Sequence, residues 1–262
     1  MDPRMSLEKV KFREVLERGE VALGPAISSF SSIMVEIAGY CNFDFVRIDN
    51  EHALYSKEIL ERMVLSAEFT GITPIVRVDK DDPHIIRKVL ELGAQGVIVP
   101  HVNTKSEALA AVKAAKFPPV GERGIGSSHA GKWGAVNRSD FIKWSNEETI
   151  VLVMIEDYRA IENLDEIMSV EGLDGALFGP SDFSISLGID RSNPKVMEAI
   201  EKTIAAAERH GKYVMKGIGY PYVEQAKKYI DMGVRIIEFS HDITLLQTMW
   251  KKIGTEIRNI KH

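Results

Sequence analysis

The amino-acid sequence predicts a closed α/β barrel in which eight parallel strands alternate with helices, a (β/α)8 or TIM barrel. Three observations lead to this prediction: short apolar runs recur along the chain, segments with helical spacing separate them, and glycine follows several of those segments. The chain has 262 residues, 45% of them hydrophobic. A barrel of this kind takes about 250 residues, so residues 1–262 are expected to form a single domain.

The predicted strands are the apolar runs. Pairs such as Ile98-Val99 and Ile236-Ile237 put apolar side chains on both faces, as parallel strands covered by helices require. The eight runs occupy residues 21–28, 43–49, 73–78, 96–102, 149–156, 175–180, 212–218 and 235–242.

The predicted helices lie between the runs. Gly93, Gly211 and Gly233 each stand where a helix would end in a left-handed conformation, which glycine adopts without steric cost. The helical segments are 57–69, 83–92, 105–115, 163–169, 194–210 and 222–232, and residues 244–260 form the eighth helix of the barrel.

An open, doubly wound sheet is the other arrangement that alternating strands and helices allow. It would usually carry a glycine-rich dinucleotide-binding turn after its first strand, and residues 26–32 contain no glycine. The closed barrel is therefore favoured.

Charge and cysteine content limit the partners. The formal net charge of -5 argues against nucleic acid or an anionic membrane, because both favour a clustered basic surface. Cys41 is the single cysteine, so no intramolecular disulfide can form, and the sequence contains neither a secretory signal nor an apolar run of membrane-spanning length. We expect a cytoplasmic protein that acts on small molecules.

In a barrel of this type, functional residues lie at the carboxyl ends of the strands. The residues at the carboxyl ends of the predicted strands, or just after them, are polar, and they should meet at one mouth. They are Asp49, Glu51, His52, Arg77, His101, Glu156, Asp157, Ser181 and Asp182.

Glu156 and Asp182 are the candidate metal ligands, because each follows an apolar strand and the two strands are neighbours. Two carboxylates with open positions suit Mg²⁺ or Mn²⁺, with Co²⁺ as a further candidate. The alternative is structural: Glu156 would pair with a neighbouring helix, and Asp182 would cap one. Spacing alone does not decide between the two interpretations.

Arg77 and His52 are the candidate catalytic side chains. A guanidinium at the mouth can hold a carboxylate or stabilise a developing enolate, and its alternative role is an ion pair with Asp49 or Glu51. An imidazole titrates near neutral pH, so His52 is a candidate general base, oriented by a neighbouring carboxylate. A hydrogen-bonded structural histidine is the alternative.

The glycine-rich segment 121–134 departs from the phosphate-loop pattern, because no Gly-Lys-Ser/Thr closes it. We expect a mobile cover over the mouth, with Arg123 available to an anionic substrate. Its glycines would otherwise only allow a surface loop to turn. His101, His129 and His241 are interpreted as structural.

The motifs taken together resemble the metal-dependent, class II pyruvate aldolases of the HpcH/HpaI family, which includes 4-hydroxy-2-oxoheptanedioate aldolase and 2-dehydro-3-deoxy sugar-acid aldolases. The resemblance extends over almost the whole chain, with the motifs in family order. It rests on FDFVRIDNEH at 43–52, PIVRV at 74–78, GVIVP at 96–100, GERGIG at 121–126, MIE at 154–156 and GLDGALFGPSDFS at 172–184.

The resemblance implies roles for the mouth residues. Glu156 and Asp182 would bind the divalent metal, and the main-chain amides of Ser181 and Asp182 would hold the carboxylate of pyruvate. Arg77 would stabilise the enolate oxygen, His52 would transfer the proton, and Asp49 would support the site. Family members form hexamers, as trimers of dimers that exchange their last helix, here residues 244–260.

The implied reaction is the cleavage of a 4-hydroxy-2-oxo acid to pyruvate and an aldehyde, through a pyruvate enolate held at the metal. A class I mechanism through a lysine Schiff base is disfavoured, because Lys212 lies at a strand start and only Lys216 lies near the mouth. Two alternative functions remain open. One is a thioester lyase related to the citrate lyase β subunit. The other is a catalytically silent barrel that binds a 2-oxo acid.

Four departures from the family pattern bear on specificity. Lys132 is the only cation where relatives that act on dicarboxylic or sugar acids carry an arginine-containing segment. Glu91 replaces an aspartate that reaches the active-site histidine of a neighbouring subunit. Asp157 stands where threonine is common, and Ser181 where alanine is common.

Overall fold

A closed barrel of eight parallel strands forms the centre of the computed structural model, which describes residues 7–53, 56–79 and 82–260. Each strand pairs with the next along the chain, and the last pairs with the first. The prediction of a (β/α)8 barrel is confirmed. The strands are β1 Ala22–Ile27, β2 Phe45–Asp49, β3 Thr73–Arg77, β4 Gly96–Val99, β5 Ile150–Ile155, β6 Gly175–Phe178, β7 Tyr213–Ile218 and β8 Ile236–His241.

Helices cover the outside of the barrel. Among the described residues, none of them is both long enough and apolar enough to cross a membrane. The helices are α1 Lys11–Glu17, α2 Ser32–Tyr40, α3 Lys57–Thr70, α4 Pro83–Glu91, α5 Lys105–Ala115, α6 Arg138–Glu148, α7 Tyr158–Glu162, α8 Leu164–Met168, α9 Pro180–Ser186, α10 Pro194–Arg209, α11 Tyr222–Asp231 and α12 Asp242–Arg258.

All seven predicted helices are present, and five others were missed. The missed helices are short or strongly polar: α6, for example, buries only Phe141, Ser145 and Glu148, so its apolar spacing is weak. The three predicted glycine caps are confirmed, since Gly93, Gly211 and Gly233 have φ values of 108°, 63° and 106°.

Side-chain alternation along the strands separates two apolar layers. One lies inside the barrel and includes Phe45, Ile75, Met154 and Ile236. The other lies between strands and helices and includes Val46, Val76 and Val153, among others. Side chains two residues apart on a strand share a face. Towards the carboxyl ends of the strands, the inward-facing positions are therefore occupied by polar residues: Arg47, Asp49, Arg77, Glu156 and Glu238.

Candidate active site

The carboxyl ends of the strands surround a cavity of about 420 Å³. Its walls come from strands on both sides of the barrel and from the start of α9. The lining includes His52, Arg77, Ser181 and Asp182, together with Arg47, Glu238, His241, Arg191 and Lys216. Polar residues from distant parts of the chain therefore meet at one mouth.

Asp49 and Arg77 form a buried, two-pronged ion pair across β2 and β3. Arg77 Nε donates to Asp49 Oδ1 at 2.9 Å, and Nη2 donates to Oδ2 at 2.5 Å. Arg77 Nη1 lies 2.9 Å from Glu51 Oε2. Burial by itself would raise the pKa of Asp49, but the hydrogen bonds from Arg77 and the charges of Arg47 and Arg77 outweigh it and lower that pKa to about 2. The guanidinium is thereby fixed in one orientation.

A second buried pair, Arg47 with Glu238, lies beside the first. Arg47 Nη2 donates to Glu238 Oε1 at 3.0 Å, and Nε donates to Oε2. Arg47 Nη2 also approaches His241 Nε2 at 3.2 Å. Since the guanidinium can only donate, His241 Nε2 accepts, and its protonated Nδ1 donates to Ser28 Oγ at 2.5 Å. Burial lowers the pKa of His241, and the charge of Arg47 lowers it further.

The sequence reasoning missed this second cluster. Arg47 lies inside an apolar run, two residues before Asp49 on the same face of β2. The two-residue spacing from Asp49 is therefore a signal that Arg47 also faces the mouth. The partners of Arg47 come from β8, near the other end of the sequence, and no local pattern identifies them. His241 was interpreted as structural, and the structure places it at the wall of the mouth.

Glu156 lies at the end of β5 with only 3% of its surface exposed. Its Oε1 accepts a hydrogen bond of 2.7 Å from the main-chain amide of His101. Burial raises the pKa of the Glu156 carboxyl, and the charges of Asp182 and Glu51 add to the rise. Two carboxylates that repel each other in this way are stabilised by a cation between them.

The donor set fits a hard divalent cation. No group of three or more histidine, cysteine or acidic side chains within the described ranges is arranged to hold a metal. Glu156 and Asp182 alone would leave several coordination positions to water and substrate, which suits Mg²⁺ or Mn²⁺ better than structural zinc. A side chain at Gly179 would lie 2.8 Å from Glu156 Oε2, so glycine there keeps that oxygen clear.

His101 lies between two acidic residues of the site. Its Nδ1 is 3.1 Å from Glu156 Oε1 and its Nε2 is 3.5 Å from Glu51 Oε1. The backbone at His101 has a φ of 53°, in the left-handed region, and the chain leaves β4 there earlier than predicted. The sequence signal for His101 is its place near the carboxyl end of the predicted strand 96–102, although the sequence alone favours a structural role for it.

His52 and Ser181 lie at the accessible side of the mouth. The side chain of His52 is 67% exposed, and its Nε2 is 3.9 Å from Glu51 Oε2. Ser181 lies in the first turn of α9, where the main-chain amides have no helical acceptor. Asp157 does not line the cavity: it accepts from Arg159 Nε at 2.8 Å and caps α7.

Arg123 lies apart from these residues, near the amino-terminal ends of the strands. It is buried: its Nη1 donates to Ser145 Oγ at 3.1 Å, and its guanidinium lies 4.6 Å from the centre of the Phe117 ring. Burial lowers its pKa to about 10. The prediction that segment 121–134 covers the mouth of its own chain, with Arg123 on the substrate, is therefore wrong. The segment connects α5 to α6 and β5, and a connection from helix to strand returns the chain to the opposite end of the barrel.

Together, the closed barrel and the polar mouth define a barrel enzyme with its site at the carboxyl ends of the strands. A family model described as HpcH/HpaI aldolase/citrate lyase matches residues 27–248, and the chain belongs to this family.

Named relatives agree with this membership. The chain is 32% identical to 5-keto-4-deoxy-D-glucarate aldolase of Escherichia coli O6:H1, over 93% of this chain and 95% of the relative. It is 37% identical to 2-keto-3-deoxy-L-rhamnonate aldolase of Escherichia coli O17:K52:H18, over 77% and 76%. A crystal structure of an HpcH/HpaI aldolase from Desulfitobacterium hafniense superposes with a TM-score of 0.91 at 29% identity, covering 96% of this chain and 98% of that one.

Proposed function

We propose that this protein is a divalent-metal-dependent aldolase that cleaves a 4-hydroxy-2-oxo acid to pyruvate and an aldehyde. The observation that carries the proposal is the meeting of one fixed guanidinium, Arg77, with the carboxylates of Glu156 and Asp182 at a single mouth. The sugar acids named for the relatives, a keto-deoxy-glucarate and a keto-deoxy-rhamnonate, agree with a substrate of this class. Residues 1–262 would form one catalytic domain.

Each side chain has a task in this reaction. Arg77, oriented by Asp49, donates to the 2-oxo oxygen as that oxygen gains negative charge when the C3–C4 bond breaks. The amides of Ser181 and Asp182 at the start of α9 hold the substrate carboxylate. His52 takes the proton from the C4 hydroxyl, and its exposure lets it return that proton to solvent.

Glu156 and Asp182 would hold Mg²⁺, Mn²⁺ or Co²⁺. When bound, the ion supplies a Lewis acid that orients the 2-oxo acid and lowers the cost of charge on its oxygen. The buried Glu156 and the more accessible Asp182 leave one side of the ion open to substrate.

Chelation separates this mechanism from a lysine mechanism. We expect EDTA to abolish pyruvate formation from 4-hydroxy-2-oxo acids and Mg²⁺ or Mn²⁺ to restore it, because no lysine carries the reaction. We also expect that borohydride reduction in the presence of pyruvate leaves the mass of the protein unchanged. A covalent adduct, including one on Lys216, would contradict the metal mechanism. Cleavage of a coenzyme A thioester alone, or no product and no pyruvate proton exchange with any aldehyde, would contradict the aldolase proposal.

A second prediction concerns His52. Replacing it by alanine should lower kcat by about 10²-fold or more, because general-base catalysis contributes on that scale. Metal affinity should not change, since Glu156 and Asp182 are intact. Steady-state kinetics and Mn²⁺ titration measure the two effects. His210→Ala is the matched control, because His210 pairs with Asp165 outside the mouth cavity. Near-normal turnover of His52→Ala would return His52 to a structural role.

We also propose that the chain works as a homo-oligomer, a hexamer built from dimers that exchange α12. Only Asp242 of α12 is buried. Along the rest of the helix, an apolar stripe is exposed, as is expected of an element that packs on another subunit. The stripe consists of Ile243, Leu246, Met249, Trp250, Ile253 and Ile257.

A charge within this stripe should break the assembly. We expect Trp250→Glu to lower the molar mass measured by light scattering, because an aromatic side chain that is 69% exposed in the single chain would lose its place in the interface. The exposed neighbour Lys251 supplies the control, Lys251→Glu. An unchanged mass in Trp250→Glu would contradict the exchange of α12.

A contact between subunits is also part of the proposal. Glu91 is the last residue of α4, and its Oε1 lies 3.8 Å from Arg87 Nε. In the oligomer, Glu91 would reach the active-site histidine of a neighbouring subunit.

We also propose a cytoplasmic location. It agrees with the exposed free thiol of Cys41, since free thiols are typical of reducing compartments.

A further inference from the structure

Lys216 is a buried cation that the proposed mechanism does not use. It lies near the end of β7 with 2% of its surface exposed, and its Nζ donates a hydrogen bond of 2.9 Å to the carbonyl of Gly217. Within the described ranges, no carboxylate lies within ion-pair distance of its ammonium group. A buried ammonium without a counter-ion is costly, so its retention calls for a compensating group.

The ammonium group faces open space. A cavity of about 190 Å³ lies between the start of α10 and α11, and Lys216, Arg191 and Tyr229 line it. Lys216, Arg191 and Pro180 also line the larger cavity of the active site, so the smaller cavity adjoins the mouth. The apolar side chains Val196, Met197 and Ile200 line the cavity as well, together with Ser192 and Asn193. Ser192 Oγ donates to Asp190 Oδ1, and Asn193 Oδ1 accepts from the main-chain amide of Lys195, so both side chains already have local partners.

Arg191 and Tyr229 have polar groups available for the same space. Arg191 forms no ion pair and no side-chain hydrogen bond within the described part of the chain. Burial lowers the pKa of Lys216 to about 8, and the charge of Arg191 contributes to the same shift, while the more distant charge of Glu238 opposes it. Lys216 Nζ lies 5.3 Å from the centre of the Tyr229 ring. Two cations and a phenol therefore line one small cavity. The two cations repel each other, and an anion bound between them would remove that repulsion.

We propose that Lys216, Arg191 and Tyr229 form an oxyanion subsite beside the active site, which holds a carboxylate or phosphate group. Two ammonium or guanidinium donors and one hydroxyl match the oxygens of such a group. The anion has two possible sources. One is an acidic group at the end of the substrate's aldehyde portion, and this assignment rests on the proposed aldolase function. The other is a separate small ion. In both cases, the subsite is distinct from the position where Ser181 and Asp182 would hold the carboxylate of pyruvate.

Anion binding can be measured without catalysis. Inorganic phosphate and succinate are titrated by calorimetry into EDTA-treated protein, as wild type and as Lys216→Met, Arg191→Gln and Lys212→Met. We expect saturable binding of at least one anion to the wild type, and affinity at least about tenfold lower in each of the first two variants. Lys212→Met is the matched control, because Lys212 lies just before the first residue of β7, at the opposite end of the strand from Lys216, and donates to Leu173 O.

Two results of this titration would overturn the subsite. One is the absence of saturable binding, and the other is equal affinity in wild type, Lys216→Met and Arg191→Gln. Loss of folding does not confuse the test, since Arg191 is exposed and Lys216→Met removes an unpaired buried charge. Thermal unfolding of both variants should match or exceed that of the wild type.

Kinetics then distinguish the two sources of the anion. We compare kcat/KM for pyruvate addition to succinic semialdehyde and to butanal, which differ in the terminal carboxylate. If the substrate supplies the anion, the preference for the charged aldehyde falls about tenfold or more in Lys216→Met and persists in Lys212→Met. If the preference is unchanged while phosphate affinity falls, the subsite binds a separate ion. Phosphate binding through Lys216 in a protein that cleaves no 4-hydroxy-2-oxo acid would instead refute the aldolase function and leave the subsite standing.

Discussion

Glu156→Gln is expected to abolish tight Mn²⁺ binding and to lower kcat/KM for aldol cleavage by at least about 10³-fold, equivalent to roughly 4 kcal/mol of transition-state stabilisation. The amide keeps the shape of the side chain but removes its charge. The cation would then be left with Asp182 alone among the two proposed protein ligands. Because burial already disfavours the charged form of Glu156, the neutral variant should fold at least as stably as the wild type.

The measurements are Mn²⁺ titration followed by electron paramagnetic resonance, steady-state kinetics and thermal unfolding. Asp157→Asn is the matched control: the residue is adjacent in sequence, but its carboxylate pairs with Arg159 and caps α7. We expect nearly unchanged metal affinity and activity there. Unaltered Mn²⁺ affinity in Glu156→Gln would contradict the assignment of the metal ligands.

Arg77→Met is expected to lower kcat by at least about 10²-fold, because it removes a preorganised donor to the oxygen that becomes negative. It should also destabilise the fold, since it leaves the buried carboxylate of Asp49 with Arg47 as its nearest cation, 3.7 Å away. Arg159→Met serves as the control, because Arg159 pairs with Asp157 on the surface. Activity of Arg77→Met close to that of the wild type would contradict the catalytic role of this guanidinium.

The pH dependence of stability tests the same pair. In the wild type, the pKa of Asp49 is lowered from 3.8 to about 2, so its contribution is complete above roughly pH 4 and is lost as the pH falls from 4 towards 2. That contribution is on the order of 2 kcal/mol. Urea unfolding at pH values from about 3 to 6 measures it. In Arg77→Met the pKa of Asp49 should rise, so this part of the acid sensitivity should weaken or shift to higher pH.

The alternating apolar pattern was sufficient to predict the barrel. Residues 43–49 and 73–78, for example, were recognised as strands because they are apolar, short and bounded by polar residues. Their ends then placed Asp49 and Arg77 at one mouth, and the structure joins them by two hydrogen bonds. Functional residues of a barrel lie at the carboxyl ends of its strands. The sequence therefore predicts that Asp49 and Arg77, 28 positions apart, lie close together.

Other features depend on contacts that a local pattern does not encode. Arg47 was visible within an apolar run, but its partner Glu238 lies inside another one, and only closure of the barrel brings them together. The error at Arg123 has a different origin. Glycine content suggested a mobile cover, whereas the position of the segment between a helix and a strand decides on which end of the barrel it lies.

The Arg47–Glu238 pair also bears on how the chain folds. Its members are 191 residues apart, and they join the second strand to the last one. Contacts between distant residues form late, because closing a long loop costs entropy before any contact is gained. A growing polypeptide on the ribosome that still lacks its final quarter would contain Arg47 but not Glu238. The wall of the mouth would therefore become ordered only after the last strand is released and the ring closes, so that substrate recognition becomes possible only at the end of folding.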